Sequence, residues 1–311
     1  MTNGFALKST AAFLVCVLSA CGGGGGTHVN PIPSPTPSPT PNPTPTPTPT
    51  PPPTDGVPAI FPSVATSTDF ATIGYEGPIH GASAGSLTAN GFSVSYDAAS
   101  KNYVMDVPAS QPGDFKYYQQ GDRYWNGKLT NGTASSFQPI NVDVFRPGSQ
   151  NWDFALTYTS FGVYNYDTAR VGAFAFGQAT PLSAVPMTGS ASYDAFVAAQ
   201  ADVDYGIRGS ATLQFNFGAG TLSGHFDPVI YDLLSGNTPL GHYSFVNSVY
   251  STGSATFSGQ LSSSSVSGLG AFDGKFTGPA AQELMARFHA PFIDPESNTQ
   301  KEMFGVWVGK H

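Results

Sequence analysis

Few residues of this chain could do chemistry, and the first candidate is a serine. Residues 81–85, Gly-Ala-Ser-Ala-Gly, match the G-x-S-x-G pattern of a serine nucleophile, and His80 lies beside them. Such a serine needs a strand before it and a helix after it, because a strained turn between them exposes its hydroxyl. Here a glycine-rich segment leads into a strand. We therefore interpret Ser83 as a residue of a surface loop.

Three histidines are the candidates for a metal site. His225, His242 and His289 lie in or beside predicted strands, and no two of them have the close spacing of a pair such as H-x-x-x-H. Ligands brought together from separate strands stay open as an alternative. His289 alternates with Phe288 and Ala290, so we expect its side chain to face solvent.

Paired acids are a third candidate. Asp202 and Asp204 could serve hydrolysis or bind Ca²⁺, but no D-x-[DN]-x-[DN]-G loop surrounds them. A solvated hairpin turn explains them better. Since no set of acid and base residues converges, we predict a protein that is not an enzyme and carries no metal or other cofactor.

Aromatic and basic residues are the better candidates for binding. Tyr117, Tyr118, Arg123, Tyr124 and Trp125 lie close together in a polar stretch that contains glycine. Tyr, Trp and Arg are enriched where proteins bind their partners, so we predict ligand contacts here. The alternative is that Tyr124 and Trp125 pack the core of their own domain.

The N-terminus is a targeting segment. Lys8 precedes an apolar run over 11–18, which is too short to span a bilayer as a helix. The run ends in Leu-Ser-Ala-Cys at Cys21, which resembles the bacterial lipobox. We predict a signal peptide over 1–20 and a Cys21 acylated with several chains such as palmitate, which together anchor the protein stably. Gly22 stands where an Asp would favour the inner membrane, so we expect the outer membrane.

Composition excludes several classes of function. Cys16 falls in the signal peptide and Cys21 carries the lipid, so the mature chain has no thiol for a disulfide, a nucleophile or a metal. The formal charge of the whole chain is −8, and removal of Lys8 with the signal peptide makes it one unit more negative. An acidic chain is a poor candidate for binding nucleic acid. Only 10% of residues are charged while Gly is abundant, which is typical of an all-β protein.

The chain after Cys21 divides into a spacer and two predicted domains. Residues 21–58 contain five consecutive glycines and a Pro/Thr repeat, which favours polyproline II at about 3.1 Å per residue. We expect a spacer there. Residues 59–180 contain strand-like runs with uneven alternation and form a handle-like β domain. Its predicted strands are 91–96, 101–107, 140–145, 153–161 and 170–177.

Residues 181–311 show cleaner alternation of apolar and polar residues. In the strand after Gly209, Leu213, Phe215 and Phe217 share one face and polar residues the other; Phe304, Val306 and Val308 repeat the pattern. A short helix is expected at 279–286. The predicted strands are 188–198, 207–216, 221–226, 243–250, 254–261, 271–277, 287–292 and 302–309. Eight antiparallel strands predict a closed up-and-down barrel, soluble rather than spanning the membrane, whose large aromatics fill the interior.

The barrel motifs carry a resemblance to a known family. The matching stretches are 189–193 (GSASY), 209–213 (GSATL), 222–224 (LSG), 272–283 (FDGKFTGPAAQE) and 304–310 (FGVWVGK). They are similar to the β-barrel domain of the transferrin-binding protein B family of surface lipoproteins, which includes factor H-binding and haemoglobin-receptor accessory relatives. These motifs build turns and close the barrel, so no ligand-contacting residue is carried over.

The resemblance implies a function for the whole molecule. It implies a surface-exposed lipoprotein of the outer membrane that captures an extracellular protein, such as an iron carrier, or a small ligand, and that works with an outer-membrane transporter. The alternative is a structural or adhesive envelope lipoprotein without a dedicated ligand site. Fold analogy alone does not identify a ligand.

Overall fold

The computed structural model describes residues 64, 66–108, 113–120, 124–131, 140–148, 151, 153–166, 170–201, 206–232 and 236–311. Within these residues the chain is all-β, with short 3₁₀ turns at Ala84–Ser86 and Leu182–Ala184. The predicted fold class is therefore confirmed. The signal peptide, Cys21 and the Pro/Thr spacer lie outside the described residues. In the described part, no helix is long and apolar enough to cross a membrane.

The first eight strands form a closed antiparallel barrel, hereafter the N-terminal barrel. They are β1 (Thr68–Pro78), β2 (Ser93–Asp97), β3 (Asn102–Asp106), β4 (Gly113–Gln120), β5 (Tyr124–Asn131), β6 (Ile140–Phe145), β7 (Thr159–Tyr166) and β8 (Arg170–Gly177). Each strand pairs with the next, and β8 returns to β1 over eight residue pairs from Ala71↔Gly177 to Pro78↔Arg170. Closure leaves this sheet without an exposed edge. The handle-like domain is thus itself a barrel.

The remaining strands form the C-terminal barrel. They are β9 (Ser190–Ala201), β10 (Gly206–Asn216), β11 (Thr221–Asp232), β12 (Gly236–Pro239), β13 (Tyr243–Val249), β14 (Thr256–Ser262), β15 (Gly270–Thr277), β16 (Glu283–Ile293) and β17 (Gln300–Lys310). All except β12 pair around a ring of eight antiparallel strands. The shortest ladder of the ring joins β11 and β13, which share two residue pairs. The end of β11 pairs with β12 instead. The sequence predicts the eight strands of the ring and misses β12.

Aromatic side chains fill the C-terminal barrel. The Trp307 ring is stacked between Phe245 at 5.4 Å and Phe288 at 5.1 Å, and Phe226 and Phe272 flank it. The Trp307 indole nitrogen is buried without a hydrogen-bond partner in the described residues. Large side chains of this kind fill the interior of an eight-stranded barrel.

The N-terminal barrel has a smaller core that contains a buried charge. Its apolar members include Tyr103, Met105 and Phe176, all with at most 1% of their surface exposed. Among them lies Glu76, 1% exposed, whose carboxylate accepts a hydrogen bond from the Tyr164 hydroxyl at 2.7 Å and forms a salt bridge with Arg170. A charge in such a place must be paired, because removing it from water costs several kcal/mol.

The two barrels pack through their outer faces. The apolar cluster between them joins side chains of β1, β6, β7 and β8 to side chains of β9, β16 and β17. Phe161 and Phe196 stack across it with ring centroids 5.7 Å apart. Around it, the Glu283 carboxylate accepts hydrogen bonds from the backbone N–H groups of Thr157 at 2.6 Å and Tyr158 at 2.9 Å. The described residues of the two barrels therefore belong to one compact unit. The domain boundary at 180 and 181 stays a prediction.

This packing overturns the prediction of a wet face on the last strand. Met303 and Trp307 of β17 belong to the core of the C-terminal barrel. Val306 and Val308, on the opposite face, pack against the N-terminal barrel. The sequence predicts Phe304, Val306 and Val308 as the buried face of the barrel, but they lie on the outer face of β17, and the residues between them face the barrel interior. Both faces are buried because the N-terminal barrel covers the outer one.

The predicted helix at 279–286 is wrong. Residues 278–282 form a turn in which Ala281 has a φ of +57°, and Glu283 opens strand β16. Leu284, Met285 and Ala286 are good helix formers. They are nevertheless strand residues because β16 pairs along this whole stretch with both β15 and β17.

The predicted strand 153–161 is also wrong over most of its length. Residues 153–158 are irregular and β7 begins at Thr159. The backbone N–H groups of Thr157 and Tyr158 donate to the Glu283 carboxylate rather than to a neighbouring strand. The carboxylate comes from the other barrel, 125 positions away in the chain for Tyr158.

Candidate ligand site

The predicted aromatic stretch lies on two strands of the N-terminal barrel. Tyr117 on β4 pairs with Gly127, and Trp125 on β5 pairs with Gln120. Tyr118 falls at a shift in the register of this ladder. The structure thus places these residues on adjacent strands.

Tyr124 is the member of the stretch whose surroundings the structure describes. Its half-buried ring meets Phe145 edge-on at 5.7 Å and Phe161 at 6.1 Å. Tyr124 therefore extends the apolar cluster between the barrels. Arg123 lies outside the described residues, and the role of the stretch in binding a ligand stays a prediction.

The serine motif lies in an exposed turn after β1. Ser83 precedes the 3₁₀ turn Ala84–Ser86, and the Ser86 hydroxyl bonds to both the backbone N–H and the carbonyl of Ser83 at 2.9 Å. A nucleophile elbow needs a full helix at this point. The turn therefore has the local geometry of a capped loop, as the sequence predicts.

His289 does not face solvent, contrary to the sequence prediction. Its side chain is 16% exposed, and its Nδ1 lies 2.6 Å from the Glu302 carboxylate. The Tyr75 ring of the N-terminal barrel meets it edge-on at 5.9 Å. His289 does lie on the outward face of β16, as the alternation with Phe288 and Ala290 predicts, but the N-terminal barrel covers that face.

The two other histidines meet on the outer face of β11. His242 Nδ1 lies 2.7 Å from one Asp227 oxygen and His225 Nε2 lies 3.6 Å from the other. All three side chains are more than 40% exposed. In the described part of the chain, no three His, Cys, Asp or Glu side chains are arranged to hold a metal ion.

A cleft of about 570 Å³ opens between the barrels, and we call it the inter-barrel cleft. One wall is β1 with residues 89–92, which lead into β2. The other wall is the end of β13 at Val249, the segment that follows it, and residues of β14, β15 and β16. Its volume falls in the range of small-molecule sites, about 300–1,000 Å³.

Three charged side chains of the C-terminal barrel line this cleft. Asp273 and Lys275 alternate with the buried Phe272 and Phe276 on β15, so both point outward. Arg287 on β16 is paired with Asp273, since Nε and Oδ1 are 2.8 Å apart. The local balance of these groups is one positive charge in a chain that is acidic as a whole.

Arg287 is held from both barrels. A terminal nitrogen donates to the Ala89 carbonyl at 2.7 Å, and the guanidinium lies over the Tyr75 ring at 5.2 Å from its centroid. Burial raises the pKa of the Tyr75 hydroxyl, and Arg287 opposes that rise. Arg287 is therefore a structural cation whose hydrogen bonds fix the width of the cleft.

Lys275 is the cation that remains. Its side chain is half-buried, and its ammonium group makes no hydrogen bond or ion pair with another described residue. Burial lowers the pKa of its ammonium group; Asp273 acts against that lowering and Arg287 adds to it. The ammonium is thus partly removed from water without a direct partner.

The sequence reasoning missed this site because its two walls are far apart in the chain. Asn90 and Lys275 line the same cleft but lie far apart in the amino-acid sequence. One signal was present: Asp273 and Lys275 are charges on the polar face of a strand with two buried phenylalanines. That pattern marks them as outward-facing, but only the packing of the barrels makes their surroundings a cleft.

Comparison with known proteins returned structures but no family. No family model matches the chain, and no curated protein matches it. The chain is similar to a transferrin-binding protein B double mutant from Haemophilus parasuis Hp5, at 16% identity and a TM-score of 0.46. The match covers 77% of this chain and 44% of that one, so this chain spans less than half the length of that protein.

Two further structures match over most of their own length. One is HpuA from Kingella denitrificans in complex with human haemoglobin, at 14% identity and a TM-score of 0.44, covering 80% of this chain and 89% of that one. The other is the N-lobe domain of lactoferrin-binding protein B of Moraxella bovis, at 12% identity and a TM-score of 0.29, covering 80% and 99%. The likeness is one of architecture.

Proposed function

We propose that this protein is a lipid-anchored binding protein of the outer membrane, exposed on the cell surface. It captures an extracellular protein, such as an iron carrier, or a small ligand, and passes its cargo to an outer-membrane transporter. It binds rather than catalyses. Cys21 carries the lipid, and the Pro/Thr spacer holds the barrels away from the membrane.

The observation that carries the proposal is that both barrels are filled and are joined into one unit. Aromatic side chains occupy the C-terminal barrel, and a paired charge with its apolar neighbours occupies the N-terminal one. Ligand contacts are therefore left to the outer surface, that is, to the loops and the inter-barrel cleft. Rigid scaffolds that present loops and clefts are a common way to build binding proteins.

The anchor can be tested with the two cysteines of the chain. Cells labelled with radioactive palmitate should incorporate label into the wild type and into Cys16→Ser, because Cys16 is removed with the signal peptide. Cys21→Ser should lose both the label and the membrane association. Labelled Cys21→Ser would show that the lipid is attached elsewhere or that the signal has been misread.

Surface exposure is tested by protease treatment of intact cells carrying a C-terminal tag on the chain. The tagged barrels should be released or degraded while a periplasmic control protein survives, because an external protease reaches a protein on the cell surface but not one behind the outer membrane. If the tag is protected until the outer membrane is opened, the surface role is wrong. A periplasmic or structural envelope role then takes its place.

A further inference from the structure

The inter-barrel cleft contains one cationic group, the Lys275 ammonium, that has no ion-pair partner among the described residues. We propose that the cleft binds a small hydroxylated carboxylic acid, with Lys275 as the group that receives its carboxylate. This assignment rests on the proposed function, since it names a ligand class for a protein that binds. It needs no residue outside the described part of the chain.

Lys275 is positioned to receive a ligand rather than an internal partner. The nearest carboxylate, Asp273, is engaged with Arg287 at 2.8 Å, and Arg287 also donates to the Ala89 carbonyl. The ammonium group therefore keeps three donors with no acceptor among the described residues. Half-burial makes that state costly, which lowers the pKa of Lys275 and is relieved when an anion enters.

The charge of the cleft favours a carboxylate over a phosphate. One uncompensated positive charge matches a singly charged group, whereas a phosphate near neutral pH carries up to two. Phosphate sites also use clusters of backbone N–H groups or a bidentate arginine. Here the guanidinium of Arg287 is held by Asp273 and Ala89. The cation left for the ligand is a point charge on a flexible stem.

The rest of the lining suits a hydroxylated body. The side chains of Asn90, Ser251 and Ser258 line the cleft and make no hydrogen bond to another described residue. Each offers both donors and acceptors, or a hydroxyl that serves as either. Phe92 adds apolar surface beside them. A ligand with several hydroxyl groups on a small carbon skeleton satisfies both kinds of wall.

The probes are D-glucuronate and D-gluconate, a ring and an open chain that each carry one carboxylate and several hydroxyls. Binding to the full chain in non-ionic detergent is measured by titration calorimetry at low ionic strength, where charge pairing is least screened. We expect at least one of the two acids to bind the wild type. D-glucose, which lacks the charge, should bind at least about tenfold more weakly, because a charge-assisted hydrogen bond contributes about 1.5–3 kcal/mol.

Matched variants connect the binding to the lysine. Lys275→Gln should weaken binding of the acid about tenfold or more, whereas Lys275→Arg, which keeps the charge, should retain most of it. Lys128→Gln removes an exposed lysine of β5 outside the cleft and should bind as the wild type does. Circular dichroism confirms that each variant is folded. If Lys275→Gln does not fold, the ratio of glucuronate to glucose binding and the response of Lys275→Arg decide the matter.

Three results would overturn the assignment. The first is that neither acid binds the wild type. The second is that folded Lys275→Gln binds the acid as tightly as the wild type, or that folded Lys275→Arg loses most of the binding. The third is that inorganic phosphate binds more tightly than both acids. None of these outcomes bears on protease accessibility or lipid labelling, so the proposed surface role can survive the loss of this ligand class. Conversely, a periplasmic location would leave the calorimetric result standing.

Discussion

The two barrels have the same number of strands in their rings but solve the packing of their interiors differently. The C-terminal barrel is filled by stacked aromatic rings around Trp307. The N-terminal barrel has a smaller apolar core and places a charged network, Glu76 with Tyr164 and Arg170, inside it. One interior depends on shape and apolar area, and the other depends partly on complete pairing of buried polar groups.

The two barrels are therefore destabilised by different kinds of substitution. Loss of an aromatic ring removes buried area and leaves a cavity, so its cost grows with the size of the side chain. Loss of a buried carboxylate costs less area but strands its partners without acceptors. The two cores are joined through one apolar interface. We therefore expect a substitution in one core to destabilise the other barrel only by loosening that interface.

The largest effect is expected from Trp307→Ala in the C-terminal barrel. Trp307 is 0% exposed and contacts four phenylalanine rings, so we expect the free energy of unfolding to fall by about 3–5 kcal/mol. Urea denaturation followed by far-ultraviolet circular dichroism measures it. Leu182→Ala, at a side chain 71% exposed, is the control and should change stability by less than about 0.5 kcal/mol. Equal effects of the two substitutions would contradict the described core.

A smaller effect is expected from Glu76→Ala in the N-terminal barrel. The substitution leaves the Tyr164 hydroxyl and the Arg170 guanidinium without their carboxylate. We expect a loss of about 2–3 kcal/mol, below the value for a fully buried pair because the Arg170 side chain is 35% exposed. Hydrogen exchange read by mass spectrometry should show lost protection in β1, β7 and β8.

Two comparisons sharpen that prediction. Glu76→Gln keeps an acceptor for the Tyr164 hydroxyl and should cost less than Glu76→Ala. Peptides from β11 and β13, which lie across the ring of the C-terminal barrel from the interface strands β16 and β17, should keep their protection. Protection lost evenly across both barrels would mean that the two cores unfold as one and that the contrast between them has no energetic meaning.

The smallest effect compares one turn from each barrel. Asp294, after β16, accepts hydrogen bonds from the Ser297 hydroxyl, the Glu296 N–H and Lys301. Burial alone would raise the pKa of Asp294, but these bonds outweigh it and hold the pKa at about 2. Asp97, the last residue of β2, similarly accepts hydrogen bonds from the Ala99 N–H and the Ser100 hydroxyl. These bonds, first that from Ser100, lower the pKa of Asp97, but its carboxylate is exposed to solvent.

The sign of the pH effect follows from the lowered pKa. The ionised Asp294 carboxylate stabilises the fold above its ordinary pKa near 3.8, and this contribution disappears as the pH falls towards 2. Asp294→Asn should therefore cost about 2 kcal/mol at pH 7, with a difference from wild type that narrows below pH 4. Asp97→Asn should cost less at pH 7. A pH-independent difference for Asp294→Asn would show that its carboxylate is not what stabilises this turn.

The sequence predicted the C-terminal barrel better than the N-terminal one for a physical reason. Strands such as β10 have one buried face and one wet face, so Leu213 and Phe215 alternate with polar residues and the period of two is legible. In β8, seven consecutive residues from Val171 to Gly177 are buried, because the barrel core covers one face and the other barrel covers the opposite face. Alternation has no contrast left there. Strands β1, β4 and β5 were not predicted at all.

Local propensity failed where pairing was stronger. Leu284, Met285 and Ala286 favour a helix, but ladders on both sides of β16 hold them extended. His289 was assigned to the outward face of its strand correctly, and its expected solvent exposure failed because Tyr75 covers it. In the first case the deciding neighbours are the adjacent strands β15 and β17, and in the second the neighbour is distant in the chain.

By itself the sequence determined the all-β class, the eight strands of the C-terminal ring and the polar and apolar faces of most of them, because these depend on the local period of two. It also predicts the lipid anchor and the spacer, which depend on short motifs. Only the tertiary structure decided that the handle-like region is a closed barrel and that the outer faces of β16 and β17 are buried. It alone brings Asn90 and Lys275 to one cleft. A cleft between two barrels is a property of their packing, and no local pattern encodes which distant strands will face each other.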